Sequence, residues 1–186
     1  MTEGSSANLS TSYKYVVDGG WLLHKLPWTT GATFGQICLA YASYVKAHFG
    51  NATVVFDGYE DSPSTRDQTH LKRSKGIRSP DIDFSGTTTV TLKKDFFLNN
   101  QKNKGKFILL LAGVLSLSGC RVMYASGDAH FTIATAAVTS CFDVETCLVG
   151  NDTDVLVLLL HHCQPGSYPL FLRAETKPGT AKLYNI

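Results

Sequence analysis

The sequence predicts an α/β fold, with a central, mainly parallel sheet and helices on both faces. Two observations predict it. Short β-branched or apolar runs alternate along the chain with longer segments of helical periodicity, the pattern of successive β-α units. Acidic residues also recur where those runs end: Asp18 in YVVDGG, Asp57 in TVVFDGYED, Asp128 in YASGDAH, and Asp152 with Asp154 in LVGNDTD. In a parallel sheet the carboxyl ends of the strands share one edge, so acids at those ends converge on one crevice.

The elements follow in order. Residues 1–12 are polar and read as a disordered tail ahead of a single domain spanning 13–186. KYVVD (14–18) reads as a buried strand, and the Gly-Gly after it as a sharp turn. TTGATFGQICLAYASYVKAHFG has helical spacing, with Ile37, Tyr41, Tyr44, Val45 and His48 on one stripe, Thr30 or Thr33 as cap and Gly50 as stop. NATVVFD (51–57) is the second strand. SPST opens a further helix in DSPSTRDQTHLKRSKG, and IRSPDIDFSGTTTVT reads as a mobile loop or a short extended piece.

The periodicity predicts a helix from about Asn100 to Ser118, stopped by Gly119, then a third strand at 120–126. DAHFTIATAAVTSC reads as a helix and CLVG (147–150) as the fourth strand. DTDVLVLLLHHC suits either a strand or a helix by pattern, and β-α alternation selects a helix opening at Asp152. PLFLRA and AKLYNI read as a terminal hairpin around KPGT.

Composition narrows the class. The net charge of +2 creates no strong overall field, but the bases are clustered. One group holds Arg66, Lys72, Arg73, Lys75 and Arg78; a second holds Lys93, Lys94, Lys102, Lys104 and Lys106. Bases beside an acidic centre suit phosphate binding; solvation of exposed helices is the ordinary alternative. The five cysteines show no C-x-x-C spacing, which argues against a zinc knuckle or a disulfide framework and points to buried thiols in a reducing compartment. No secretory leader is visible, and the apolar runs FILLLAGVLSLSG and VLVLLLHHC are too short to span a bilayer. The expected location is intracellular, nuclear or cytoplasmic, without membrane contact.

Several carboxylates in one crevice repel one another unless a cation lies between them. Oxygen donors suit Mg²⁺ or Mn²⁺, and paired ions of this kind cleave phosphodiesters. Each acid has a plainer role: Asp is a preferred N-cap residue, which suits Asp128 and Asp152. Asp18 and Asp57 read differently, because neither is expected to precede a helix directly. His161 and His162 suit the end of a helix, where cations are favoured. His24 and His48 read as surface or core residues, and Trp21 as packed on the first helix. Tyr59 is the candidate for contact with a base, by stacking. No G-x-S-x-G or similar nucleophile motif is present.

VVDGGWLLHK, VVFDGYEDSPST with bases following, SGDAHFTIATAA and VGNDTDVLVLL occur in that order along the chain. In these motifs the chain resembles the flap-endonuclease-like branch of the PIN-domain superfamily, including Asteroid-like animal proteins, from about residue 14 onward. The resemblance implies a PIN-like three-layer sandwich and a two-metal site that hydrolyses DNA or RNA. Asp18, Asp57, Asp128, Asp152 and Asp154 would be the catalytic acids, with His130 joining them as a metal ligand and Mg²⁺ or Mn²⁺ as the ions. Tyr59, Arg66, Lys72, Arg73, Lys75, Arg78, Lys93 and Lys94 would contact nucleic acid, without an organic cofactor. The region from about Phe84 to Lys106 would stand where related nucleases carry an arch or clamp.

The chain departs from the family pattern at two positions. His130 replaces the second acid of the third motif, and Asn151 stands where related proteins often have an acid; both reduce the negative charge available to a metal. The helical DNA-binding module that follows in flap endonucleases has no counterpart before Ile186, so the expectation includes a fragment lacking it. The alternative function is a catalytically impaired module that binds nucleic acid or protein.

Overall fold

Six strands form one sheet in the order β3-β2-β1-β4-β5-β6. The computed structural model describes residues 13–58, 79–164, 166–177 and 180–186. The strands are β1 (Lys14–Asp18), β2 (Thr53–Phe56), β3 (Arg121–Tyr124), β4 (Thr146–Val149), β5 (Leu170–Lys177) and β6 (Thr180–Asn185). The helices are α1 (Gly19–Lys25), α2 (Phe34–Phe49), α3 (Lys94–Leu98), α4 (Gln101–Leu117), α5 (Ala129–Ser140) and α6 (Thr153–His162). The first five strands run parallel, and β6 returns antiparallel as the arm of a terminal hairpin. The fold is α/β, as the alternation of patterns predicts.

The chain divides into two compact units. The first takes its described residues from Met1–Lys25, Val45–Gly58 and Gly119–Ile186, the second from Leu26–Tyr44 and Tyr59–Ser118. The first unit carries the sheet. On one face, Val16, Val55, Leu148 and Leu172 pack with Ile133, Ala134 and Ala137 of α5 and with Val155 and Leu159 of α6. Side chains alternate across a strand, so their neighbours face the other way. There Tyr15 meets Phe49 of α2 with 5.3 Å between ring centroids, and Gly19 of α1 lies against Phe56.

Gly19 is required at that approach. A Cβ there would stand 2.3 Å from Phe56 Cδ1 and 2.7 Å from the Val55 carbonyl oxygen. The Gly-Gly that suggests a turn therefore starts a helix. Asp18, expected to stand clear of any helix, immediately precedes one, because the absence of a side chain lets α1 begin flush against β2.

The second unit is held by an aromatic cluster. Phe34, Phe97 and Phe107 are fully buried, Phe84 stacks on Phe34 at 4.1 Å, and Trp28 donates to the Tyr41 hydroxyl at 3.2 Å. Thr33 and Gln36 form a reciprocal cap at the start of α2, with bonds of 3.2 and 2.9 Å. The buried stripe of α2 includes Ile37, Cys38, Tyr41, Val45 and Phe49; His48, expected on it, is exposed. Residues 79–92 form neither helix nor named strand, with a turn at Gly86 and Thr87. The segment is held by Asn100 and Asn103 side chains and by an isolated bridge between Thr33 and Thr89. The expected helix after SPST lies outside the described residues.

Candidate active site

The strand order reverses direction beside β1. The chain steps from β1 to β2 to β3, then crosses back to lay β4 on the other side of β1. In open α/β sheets such a switch point opens a crevice at the carboxyl ends of the strands. Asp18 closes β1 there, and the loop leaving β4 begins at Gly150, beside it. A Cβ on Gly150 would come 3.2 Å from Asp18 Cβ, so a residue without a side chain lets the two strand ends meet. Asp57 follows β2, Asp128 follows β3, and Asp152 and Asp154 follow β4. All five acids thus lie at or beyond the carboxyl ends of parallel strands.

Three of them share one local geometry. Asp18 Oδ1 accepts the Gly20 N–H at 2.8 Å, Asp128 Oδ1 the His130 N–H at 3.0 Å, and Asp152 Oδ1 the Asp154 N–H at 2.8 Å. Each carboxylate caps a helix through one oxygen, which orients the side chain. The capping role and a ligand role are therefore compatible at one residue. Asp154 is exposed in the first turn of α6, and Asp57 is half-buried.

His130 ties two of the motifs together. Its Nε2 stands 3.0 Å from Asp152 Oδ2 and its Nδ1 3.3 Å from Asp128 Oδ1. Both ring nitrogens thus face carboxylate oxygens. Asp18 feels the same centre. Burial pushes its carboxyl above the ordinary carboxylate value, backbone N–H groups of Trp21 and Gly20 pull it down, Asp57 raises it and His130 lowers it.

A divalent cation fits this donor set in chemistry. A half-buried carboxylate that another carboxylate repels gains from a neighbouring positive charge, and the oxygens offered are hard donors. The side-chain placement is less complete: among the described residues, no group of three or more His, Cys, Asp and Glu is arranged to hold a metal ion. Asp128 and Asp152 turn toward His130 instead.

The basic residues divide differently. Tyr59, Arg66, Lys72, Arg73, Lys75 and Arg78 lie outside the described residues. Lys93 occupies the N-cap position of α3 and is exposed. Lys94 is half-buried and donates to the Leu26 carbonyl at 2.7 Å, a structural contact. Lys102 pairs with Asp81 at 2.9 Å and Lys106 with Asp83 at 3.1 Å.

Asn151 has a role that sequence reasoning missed. Its amide nitrogen donates to the Glu175 carbonyl at 2.9 Å, and its oxygen accepts the Glu175 N–H at 2.8 Å. Nothing in GNDTD announces this, because the partner lies 24 residues away on β5. Of the five thiols Cys38, Cys120, Cys141 and Cys147 are buried and Cys163 is half-buried, and burial pushes Cys38 and Cys147 up to about 12. No helix among the described residues is long and apolar enough to cross a membrane. Comparison with known protein families, curated proteins and solved structures finds no match to this chain.

Proposed function

We propose that the chain is a divalent-metal-dependent nuclease domain of PIN-like type, hydrolysing phosphodiester bonds of DNA or structured nucleic acid inside the cell. One observation carries this reading. Acids from four strand ends share the sheet edge at the topological switch point, and Asp18 is held in a half-buried setting that favours a cationic neighbour.

Asp18, Asp57, Asp128, Asp152 and Asp154, with His130, would hold two Mg²⁺ or Mn²⁺ ions. Such a pair, when bound, supplies a water of lowered pKa and neutralises charge on the attacking and leaving oxygens. The chain's own part is positional. The caps made by Asp18, Asp128 and Asp152 hold their carboxylates at the ends of three helices. The positive end of a helix dipole attracts negative charge, which suits a carboxylate in that place. The basic residues between Arg66 and Arg78 would bind substrate phosphates.

Asp57 is the residue to remove. It caps no helix among the described residues, so Asp57→Ala should leave the fold intact. Cleavage of flapped, nicked and single-stranded substrates in Mn²⁺ or Mg²⁺ should fall by more than about a hundredfold, beyond the loss typical of an outer-shell contact. Full activity of a clean Asp57→Ala preparation would sink the assignment.

The two contacts of His130 favour a second reading, a module that binds nucleic acid or protein without cutting. The imidazole takes up carboxylate oxygens that a metal would need. Binding independent of metal, with no cleavage by the wild type and no change in Asp152→Asn, would identify that case.

A further inference from the structure

We propose that Asn151 is the positioning residue of the carboxylate site, its side-chain amide standing in for a peptide group of the sheet and thereby setting where Asp152 points. The inference rests on the metal-site reading for its functional meaning and on geometry for its substance.

The β4–β5 ladder ends in register at Val149 and Arg173, and Gly150 N–H still donates to the Arg173 carbonyl at 3.2 Å. The chain must then leave the sheet to begin α6, and the next peptide groups of β5 would lose their partners. The Asn151 amide replaces them. It presents one donor and one acceptor to the carbonyl and N–H of Glu175, at 2.9 and 2.8 Å, the pair that a peptide group would offer. Glu175 is itself anchored through its carboxylate to Lys25 at the end of α1. The loop is thus clamped to the sheet one residue before Asp152.

The consequence falls on Asp152. With residue 151 held, Oδ1 of Asp152 meets the Asp154 N–H and Oδ2 meets His130. Asn151→Asp adds a carboxylate beside the site. It would remove the amide donor to the Glu175 carbonyl and set oxygen against oxygen, pushing the loop off β5. Asn151→Asp therefore weakens the site despite its added charge.

The test uses Asn151→Asp and Asn151→Ala in the full chain, with two readouts. Amide hydrogen exchange of the metal-free protein should speed up at Glu175, whose N–H loses its acceptor in Asn151→Ala and is left by the displaced loop in Asn151→Asp, and at Asp154, whose cap depends on the loop. The amides of β1 and β4 should stay protected. Mn²⁺ affinity by calorimetry should fall at least about tenfold in Asn151→Asp, the range known for outer-shell residues of metal sites. Wild-type exchange at Asp154 in both variants would overturn the assignment, as would Mn²⁺ binding by Asn151→Asp at least as tight as by the wild type. If the wild type binds no Mn²⁺, the metal-site reading fails and the exchange at Asp154 alone decides the positioning role. Asn151→Ser, which keeps an acceptor for Glu175 N–H, serves if either variant fails to fold.

Discussion

A carboxylate has two oxygens, and Asp18, Asp128 and Asp152 each commit one of them to a helix N-terminus. Asp18 is the most constrained, and its environment has a measurable consequence. Its folded-state pKa is raised, chiefly by burial, with Asp57 adding to the rise and His130 opposing it. The folded state therefore binds the proton more tightly than the unfolded chain does. The stability contributed by this group is fully present below the ordinary carboxylate value and is lost as pH rises through the raised one. At neutral pH the charged Asp18 is a cost to the fold. Asp18→Asn keeps an oxygen for the Gly20 N–H and removes the charge, so its Tm at pH 7 should exceed that of the wild type. The difference should shrink as pH falls below the ordinary carboxylate range. Calorimetry across pH checks this, and a lower Tm for the variant at pH 7 would show that burial is not the dominant influence.

At the scale of the element, α4 shows how a polar residue organises its surroundings. Asn100 caps the helix, accepting from Lys102 and Asn103 N–H at 2.9 and 3.2 Å. Its amide nitrogen donates to the Ser79 carbonyl and to Asp81, both at 2.8 Å. One side chain thus starts a helix and pins the irregular segment before it. Asn100→Ala should lower stability by about 1–2 kcal/mol, the loss of a good N-cap. In thermal unfolding this is a fall of about 2–4 °C per kcal/mol for a chain of this size. The start of α4 was legible because the helical pattern begins just after Asn100. The path of residues 79–92 was not, since it is set by Asn100, Asn103 and the Thr33–Thr89 bridge rather than by local propensity. The α2 stripe was legible in part: Ile37, Tyr41 and Val45 follow helical spacing into the core, whereas Phe49, not His48, completes it.

At the scale of the molecule, the sheet order converts separate motifs into one edge. Because β4 returns to the far side of β1, Asp18 and the loop carrying Asp152 become neighbours across the switch point. A ligand that binds only the folded chain raises its stability by mass action, about 2.7 kcal/mol at a hundred times its Kd. Mn²⁺ should therefore raise the Tm of the wild type in a concentration-dependent manner and should do so far less for Asp152→Asn. Equal shifts in the two proteins would mean that the ion binds elsewhere.

The sequence by itself determined the alternation of strands and helices, the acids at the strand ends and the caps at Asp128 and Asp152. Those features depend on residues adjacent in the chain: periodicity, Asx geometry and turn chemistry act over a few positions. The tertiary structure alone decided that Asp18 also precedes a helix, that His130 links Asp128 to Asp152, and that Asn151 is paired with Glu175. Each of these depends on which strand lies beside which. A close approach such as Gly19 on Phe56, or an amide matched to a distant peptide group, exists only once the sheet has assembled.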